Sequence, residues 1–420
     1  MEQLLHYVWK HRLFHKNLIT TNGYPIEVID VGTLNTDEGP DFFNAKIKID
    51  GKIWAGNIEI HKTSDDWYKH KHNTNSNYNS VILHVVEVVN RDIYNESNQP
   101  VHQCKIEYPK HIRENIEYLL YTGIPIPCRN YIPDYPEIHL NGWLNTLLLE
   151  RLERKANDIY RLMERFNNSW EETFYVILSR NFGFGLNSDA FEQLALKTPL
   201  RYIQKQGDSI EQIEAILFGQ AGILEGNIND PYYEKLKKEY LFLQNKYSLL
   251  PVENNLFKNL RVRPTGSPQI RLAQLAVLLQ NIQGLFSKII KTEDFGQIRL
   301  YMHQNASEYW QTHYCFGEIS PRKSKYLGDS SLDIILINTV APILFAYGKK
   351  TANEALCERS LNFLEKLKPE SNFITRNFIN AGLRCKTAYD SQALIQLHRE
   401  YCEKRKCLYC RIGYKLLSEK

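Results

Sequence analysis

No stretch of this chain approaches the roughly 20 consecutive apolar residues that a membrane-spanning helix requires. The opening residues, MEQLLHYVWKHRLFHKN, contain no unbroken apolar run of the kind a secretory leader carries. The expectation is a soluble, cytoplasmic protein with no membrane partner. Phosphate-loop and dinucleotide-binding glycine motifs in strand–helix context are missing, so ATP-driven translocation is not encoded. A G-x-S-x-G nucleophile elbow is absent too. No fixed internal period is visible, which argues against a solenoid. Charge is nearly balanced, at a formal +4 over 420 residues. Any surface for a polyanion must therefore come from a local cluster.

What is present reads as two differently built halves. A chain of 420 residues exceeds one comfortable core. Residues 1–110 mix helix and strand. EQLLHYVWKHRLF carries Leu4, Leu5, Val8, Trp9 and Leu13 at helical spacing. YPIEVIDVG reads as a strand, and NAKIKID alternates, with Ala45, Ile47 and Ile49 on one side. Asp50-Gly51 predicts a hairpin turn into KIWAGNIEIH. A short helix capped by Ser64 should follow, then VILHVVEVV as a buried central strand. Residues 111–138 form a Pro-rich connection with one helix near KHIRENIEYLLY, and residues 139–420 repeat apolar positions at helical spacing. The fold class expected is an α+β N-terminal domain followed by a larger all-α domain.

One stretch of the first half carries chemistry. In GPDFFNAKIKIDGKIWAGNIEIHK, Asp41 enters one strand and Glu59-Ile60-His61 closes its hairpin neighbour. Strand alternation puts Glu59 and His61 on the same face and turns Lys62 away. Carboxylates arriving from two strands can fix a divalent ion, Mg²⁺ or Mn²⁺, and leave room for water and phosphate. Asp41 and Glu59 are the expected ligands, with Glu2 reaching in from the first helix. His70, His72 and His84 lie close by in sequence. His70 and His72, two apart, would face different ways on a helix. His84, inside an apolar strand, reads first as a satisfied core residue. A site joining His61, His72 and His84 to the carboxylates would favour Mn²⁺ or Zn²⁺.

These residues resemble the PD-(D/E)XK, or restriction-endonuclease-like, nuclease superfamily over roughly residues 1–90. Pro40-Asp41 matches its first acidic element, Glu59-x-His61 stands where acid-x-Lys is usual, and Glu2 matches the helix-borne acid. The resemblance implies metal-dependent hydrolysis of nucleic-acid phosphodiesters. His61 departs from the superfamily's lysine, and Lys69 or Lys71 would have to supply that cation. A non-catalytic nucleic-acid or protein-binding module of the same fold is the alternative. GPDF, GNIEIH, LHVV and the Cys-rich C-terminus also resemble a bacterial family of unknown function.

Two further features stand apart. Cys402, Cys407 and Cys410 follow C-x4-C-x2-C spacing, and Cys385 would complete an all-thiolate set for Zn²⁺ or an iron–sulfur cluster. His398 competes as the fourth ligand. Some nucleases of the resembled superfamily complete such a triplet with a distant cysteine, for which Cys128 is the candidate. Basic residues cluster at Lys258, Arg261, Arg263 and Arg271, and again at Lys404, Arg405, Lys406 and Arg411 with Tyr409 between. Either cluster is a candidate nucleic-acid contact.

Overall fold

The computed structural model describes residues 2–35, 37–253, 256–259, 262–281 and 284–418. The chain divides into two compact units, Met1–Leu140 with His398–Lys420, and Asn141–Leu397.

In the first unit, helix α1 (Glu2–Lys10) precedes strands β1 (Leu18–Ile19), β2 (Pro25–Asp30), β3 (Thr33–Leu34), β4 (Phe42–Ile49) and β5 (Lys52–Thr63). Helix α2 (Asp66–Lys69), strands β6 (Val81–Val88) and β7 (Gln103–Lys105) and helix α3 (Lys110–Tyr121) follow. The sheet runs β1-β2-β4-β5-β6-β7, with β3 paired to β4. β2, β4 and β5 pair antiparallel, whereas β5, β6 and β7 pair in parallel. A bridge between Thr20 and Cys104 links the two ends, so the sheet closes in a barrel-like way.

Local sequence accounts for much of this. Asp50 and Gly51 both take positive φ (47° and 79°), the conformation a two-residue hairpin turn needs. Ala45, Ile47 and Ile49 are buried as the alternation predicts. Between Phe42 and Ala45 the register slips, with Asn44 left-handed (φ 57°), so Phe42 also enters the core and β4 changes phase beside Asp41. At Gly56 a Cβ would meet Ile82 Cγ2 at 2.4 Å, so only glycine allows β5 this close to β6. The step from β5 to its parallel neighbour β6 requires a crossover, and α2 with two short turns provides it. The cap is not the expected Ser64. Asp66 Oδ2 accepts from Thr63 N (2.9 Å) and Thr63 Oγ1 (2.8 Å), and Ser64 is buried.

The C-terminal segment departs from the expected boundary. Residues 398–420 belong with the sheet unit because Cys407, Leu408, Leu416 and Leu417 join the core that holds Ile112, Ile116 and Leu119 of α3.

The regular elements described in the second unit are helices, joined by loops that carry two isolated bridges, Asn305–Tyr326 and His313–Ile319. Its start is set by the helix Glu137–Glu164, and Ser169 caps the next, Trp170–Phe182, by accepting from Glu172 N. The stretch Asp329–Lys350 departs from the expectation that no segment is apolar enough to cross a membrane. It has 22 residues and a mean hydropathy of 1.6 over its most apolar window, of which 78% is buried inside the protein, as in the core helix of a soluble fold.

This unit buries one carboxylate completely. Glu214 accepts from Ser307 Oγ (2.7 Å), Tyr232 OH (2.8 Å) and Trp310 Nε1 (3.0 Å). Burial pushes its acid up to about 7 despite those three donors. The native state thus holds this proton more tightly than the unfolded chain does. Its stability contribution is complete below the ordinary carboxylate range, declines as pH rises toward 7, and levels off above. From the size of the shift, the loss is roughly 3 kcal/mol. Denaturant midpoints at pH 5 and pH 8 should show this slope, and Glu214→Gln should flatten it. An unchanged slope in that variant would assign it to other groups.

Candidate metal centre

Ile58 and Ile60 point into the apolar core of the first unit, so Glu59 and His61 share the other face of β5. Both are buried, at 4% and 2% exposure. Asp41 and Glu59 clamp one another's backbone. Glu59 Oε2 accepts from Asp41 N (3.1 Å), and Asp41 Oδ2 accepts from Ile60 N (2.9 Å). The second Glu59 oxygen, Oε1, lies 3.3 Å from His61 Nε2 and 3.1 Å from His72 Nε2. Burial alone would raise this carboxyl, but the two imidazoles hold it at about 2.

A chain of hydrogen bonds fixes the His61 ring. Gln103 Nε2 donates to Arg91 O (3.0 Å), which turns Gln103 Oε1 toward His84 Nδ1 (3.3 Å). That oxygen can only accept, so His84 carries its proton on Nδ1 and accepts on Nε2. His61 Nδ1, 2.9 Å from His84 Nε2, must then be the donor. His84 suits the role, since burial and the neighbouring His61 push it down to about 3 and keep it neutral. The remaining His61 nitrogen, Nε2, faces Glu59 Oε1 at 3.3 Å and His70 Nδ1 at 3.0 Å.

The ligand atoms of His61, His70 and His72 all lie within 4.8 Å of one another. Three imidazoles with a carboxylate form a donor set for Zn²⁺, Mn²⁺ or Fe²⁺ in preference to Mg²⁺. His72 is stacked on Tyr78 (3.7 Å between centroids) and parallel to His61 (5.2 Å), with Trp67 edge-on behind it (5.4 Å). His70, by contrast, is exposed, so the cluster opens to solvent on that side.

Other sequence candidates fall in varied places. His70 and His72 converge because α2 ends at Lys69 and Lys71 turns left-handed (φ 60°), which breaks the helical phase that would have separated them. Glu2 makes its mark through His6, four residues on, a histidine the sequence reading passed over although i,i+4 spacing places the pair on one helix face. His6 Nε2 lies 3.2 Å from Asp41 Oδ2. Burial works against its proton, but Asp41, with help from Glu2 and Glu59, raises its pKa overall. Lys62 and Lys71 are exposed, and Lys69 Nζ is 2.7 Å from Asp66 Oδ1.

Of the basic cluster, Arg261 lies outside the described residues, and Lys258 and Arg263 are exposed. Arg271 is engaged within the helical unit. Its guanidinium donates to Gln274 Oε1 (3.0 Å) and Ser331 Oγ (3.1 Å) and covers the Phe184 ring at 4.1 Å. Arg405 is likewise committed internally, to Thr122 O and Ile124 O.

The molecule thus combines a barrel-like sheet unit, which carries a histidine–carboxylate cluster, with an all-helical unit. Residues 2–373 match the family described as "Protein of unknown function (DUF2851)", and the chain belongs to it. The match takes in every residue of the histidine cluster and stops short of Cys402. No curated protein and no solved structure matches the chain.

Proposed function

We propose that this protein is a metal-dependent hydrolase acting on nucleic-acid phosphodiesters. The observation that carries the reading is that ligand atoms of His61, His70 and His72 lie within 4.8 Å of one another, with Glu59 Oε1 3.3 Å from His61 Nε2 and 3.1 Å from His72 Nε2 and His70 exposed to solvent. These four side chains would hold the ion, which when bound supplies Lewis-acid polarisation of a phosphoryl oxygen. His84 and Gln103 orient the His61 ring, as partners behind a ligating histidine do. Asp41 fixes the end of β5 through Ile60 N. His6, whose pKa Asp41 helps to raise against burial, would when protonated offer a positive charge beside Asp41.

Nucleic acid as substrate follows from the motif resemblance. The resemblance of Pro40-Asp41 and Glu59-x-His61 to the PD-(D/E)XK motif suggests nucleic acid. A helix, a β4–β5 hairpin, a short helix and the parallel strand β6 occur in an order compatible with it, with β1 and β3 as additions. The commitment of Lys69 to Asp66 favours a second reading, a binding module that keeps the fold without turnover.

The test is cleavage of single- and double-stranded DNA and RNA with Mn²⁺, Zn²⁺ or Mg²⁺ added. Cleavage that prefers Mn²⁺ or Zn²⁺ and is abolished by Glu59→Ala is expected. Cleavage unchanged by Glu59→Ala would assign the activity elsewhere, and salt-sensitive binding without turnover would favour the second reading.

A further inference from the structure

The helical unit holds a cavity of about 190 Å³. It lies where the helix Trp170–Phe182 ends and the helix Pro268–Asn281 begins. The sequence Phe182-Gly183-Phe184-Gly185 builds one wall. A Cβ on Gly183 would meet the Asn187 carbonyl carbon at 2.3 Å, and Asn187 N donates to Gly183 O (2.9 Å), so the turn closes tightly. Phe184 takes a left-handed backbone (φ 46°), which a bulky residue keeps only where its surroundings hold it. Asn187 ties the turn to a second segment. Its Nδ2 donates to Lys258 O (3.0 Å) and its Oδ1 accepts from Lys258 N (2.7 Å). Phe182 and Phe191, fully buried, line the cavity. Leu186 lines it too and is 51% exposed, so the cavity reaches the surface.

Among the described lining residues Arg271 alone is charged. Its guanidinium covers the Phe184 ring at 4.1 Å and donates to two neutral acceptors, Gln274 Oε1 and Ser331 Oγ. A guanidinium has more N–H donors than these two bonds use. Nε is buried and has no acceptor among the described residues. Burial draws the arginine's pKa down to about 10, with no neighbouring carboxylate to oppose the shift. Arg271 also stands in the first turn of its helix, where the helix end is itself positive and a cation is disfavoured. An anion in the cavity would offset both.

We propose that this cavity binds a small carboxylate with an apolar body, its carboxylate on the Arg271 guanidinium and its body against Phe182 and Phe191. A guanidinium meets a carboxylate with two parallel N–H donors. One cation balances one negative charge, whereas a phosphate dianion would bring a second, unbalanced charge against apolar walls. A cavity of roughly 150 Å³ accepts benzene. The larger volume here suits a ring or short chain that carries one carboxylate. The site is independent of the hydrolase reading.

The test is ligand-observed NMR and titration calorimetry on the full chain with benzoate and hexanoate. Benzamide serves as the uncharged analogue, and inorganic phosphate as the anion without an apolar body. Saturable binding of at least one carboxylate at a single site per chain is expected, with benzamide and phosphate weaker by roughly tenfold or more. Arg271→Gln should weaken carboxylate binding by a similar factor. Should that variant fail to fold, Val262→Trp, which fills the cavity and keeps the guanidinium, should abolish binding instead. Silence from both carboxylates, equal affinity for benzamide, phosphate binding as tight as theirs, or unchanged binding in either variant would overturn the proposal.

Discussion

Glu59→Ala should lower the affinity of the histidine cluster for Mn²⁺ or Zn²⁺ by well over a hundredfold. Glu59 Oε1 is the carboxylate beside the three imidazoles, and it lies within 3.3 Å of two of them. Removing it deletes a candidate ligand and the negative charge beside those imidazoles. Gln103→Leu tests the same centre from behind. It leaves His84 Nδ1 without its acceptor, so the His61 ring is free to turn over. A loss of roughly 10–100-fold is expected there, the range for groups that orient a ligand. Titration calorimetry on the two variants should thus give a graded series. Parent-like affinity in Glu59→Ala would show that the ion, if any, binds elsewhere. Equal losses in both variants would point to general unfolding of the site, which a circular-dichroism melt would reveal.

The ordering of that series depends on how much of the centre could be read from sequence. Same-face placement of Glu59 and His61 follows from two-residue alternation, and their side chains do meet at 3.3 Å. The hairpin follows from Asp50-Gly51, whose backbone needs are local. The role of His70 was hidden, because it depends on one left-handed residue, Lys71, which no periodicity signals. His84 was weighed as a core residue and is one, at 0% exposure, yet it also orients His61. A polar residue on a buried strand must find a partner, and composition cannot say that the partner is a candidate ligand. The seating of residues 398–420 in the first unit was equally hidden. It rests on contacts such as Arg405 to Thr122, 283 positions apart, which local pattern does not encode.

The wall behind the histidines carries the other large effect. Trp67 is fully buried within a small cluster with Tyr78, Val81 and Ile93. Its ring meets His72 at 5.4 Å, His84 at 5.3 Å and Tyr78 at 6.0 Å, and its Nε1 donates to Tyr94 O at 3.0 Å. Trp67→Ala removes the largest side chain of that cluster and leaves a carbonyl unpaired. A loss of about 3–5 kcal/mol is expected from such a truncation, read as a lower urea midpoint. Trp67→Phe keeps most of the packing and gives up the Nε1 donor, so its cost should be only about 1–2 kcal/mol. The small cluster has few other residues to take up the space, which favours the upper part of the range for alanine. If Trp67→Ala unfolds at the parent midpoint, the ring is not what holds His72 and His84 in place, and the imidazoles must owe their positions to Glu59 and Gln103 alone.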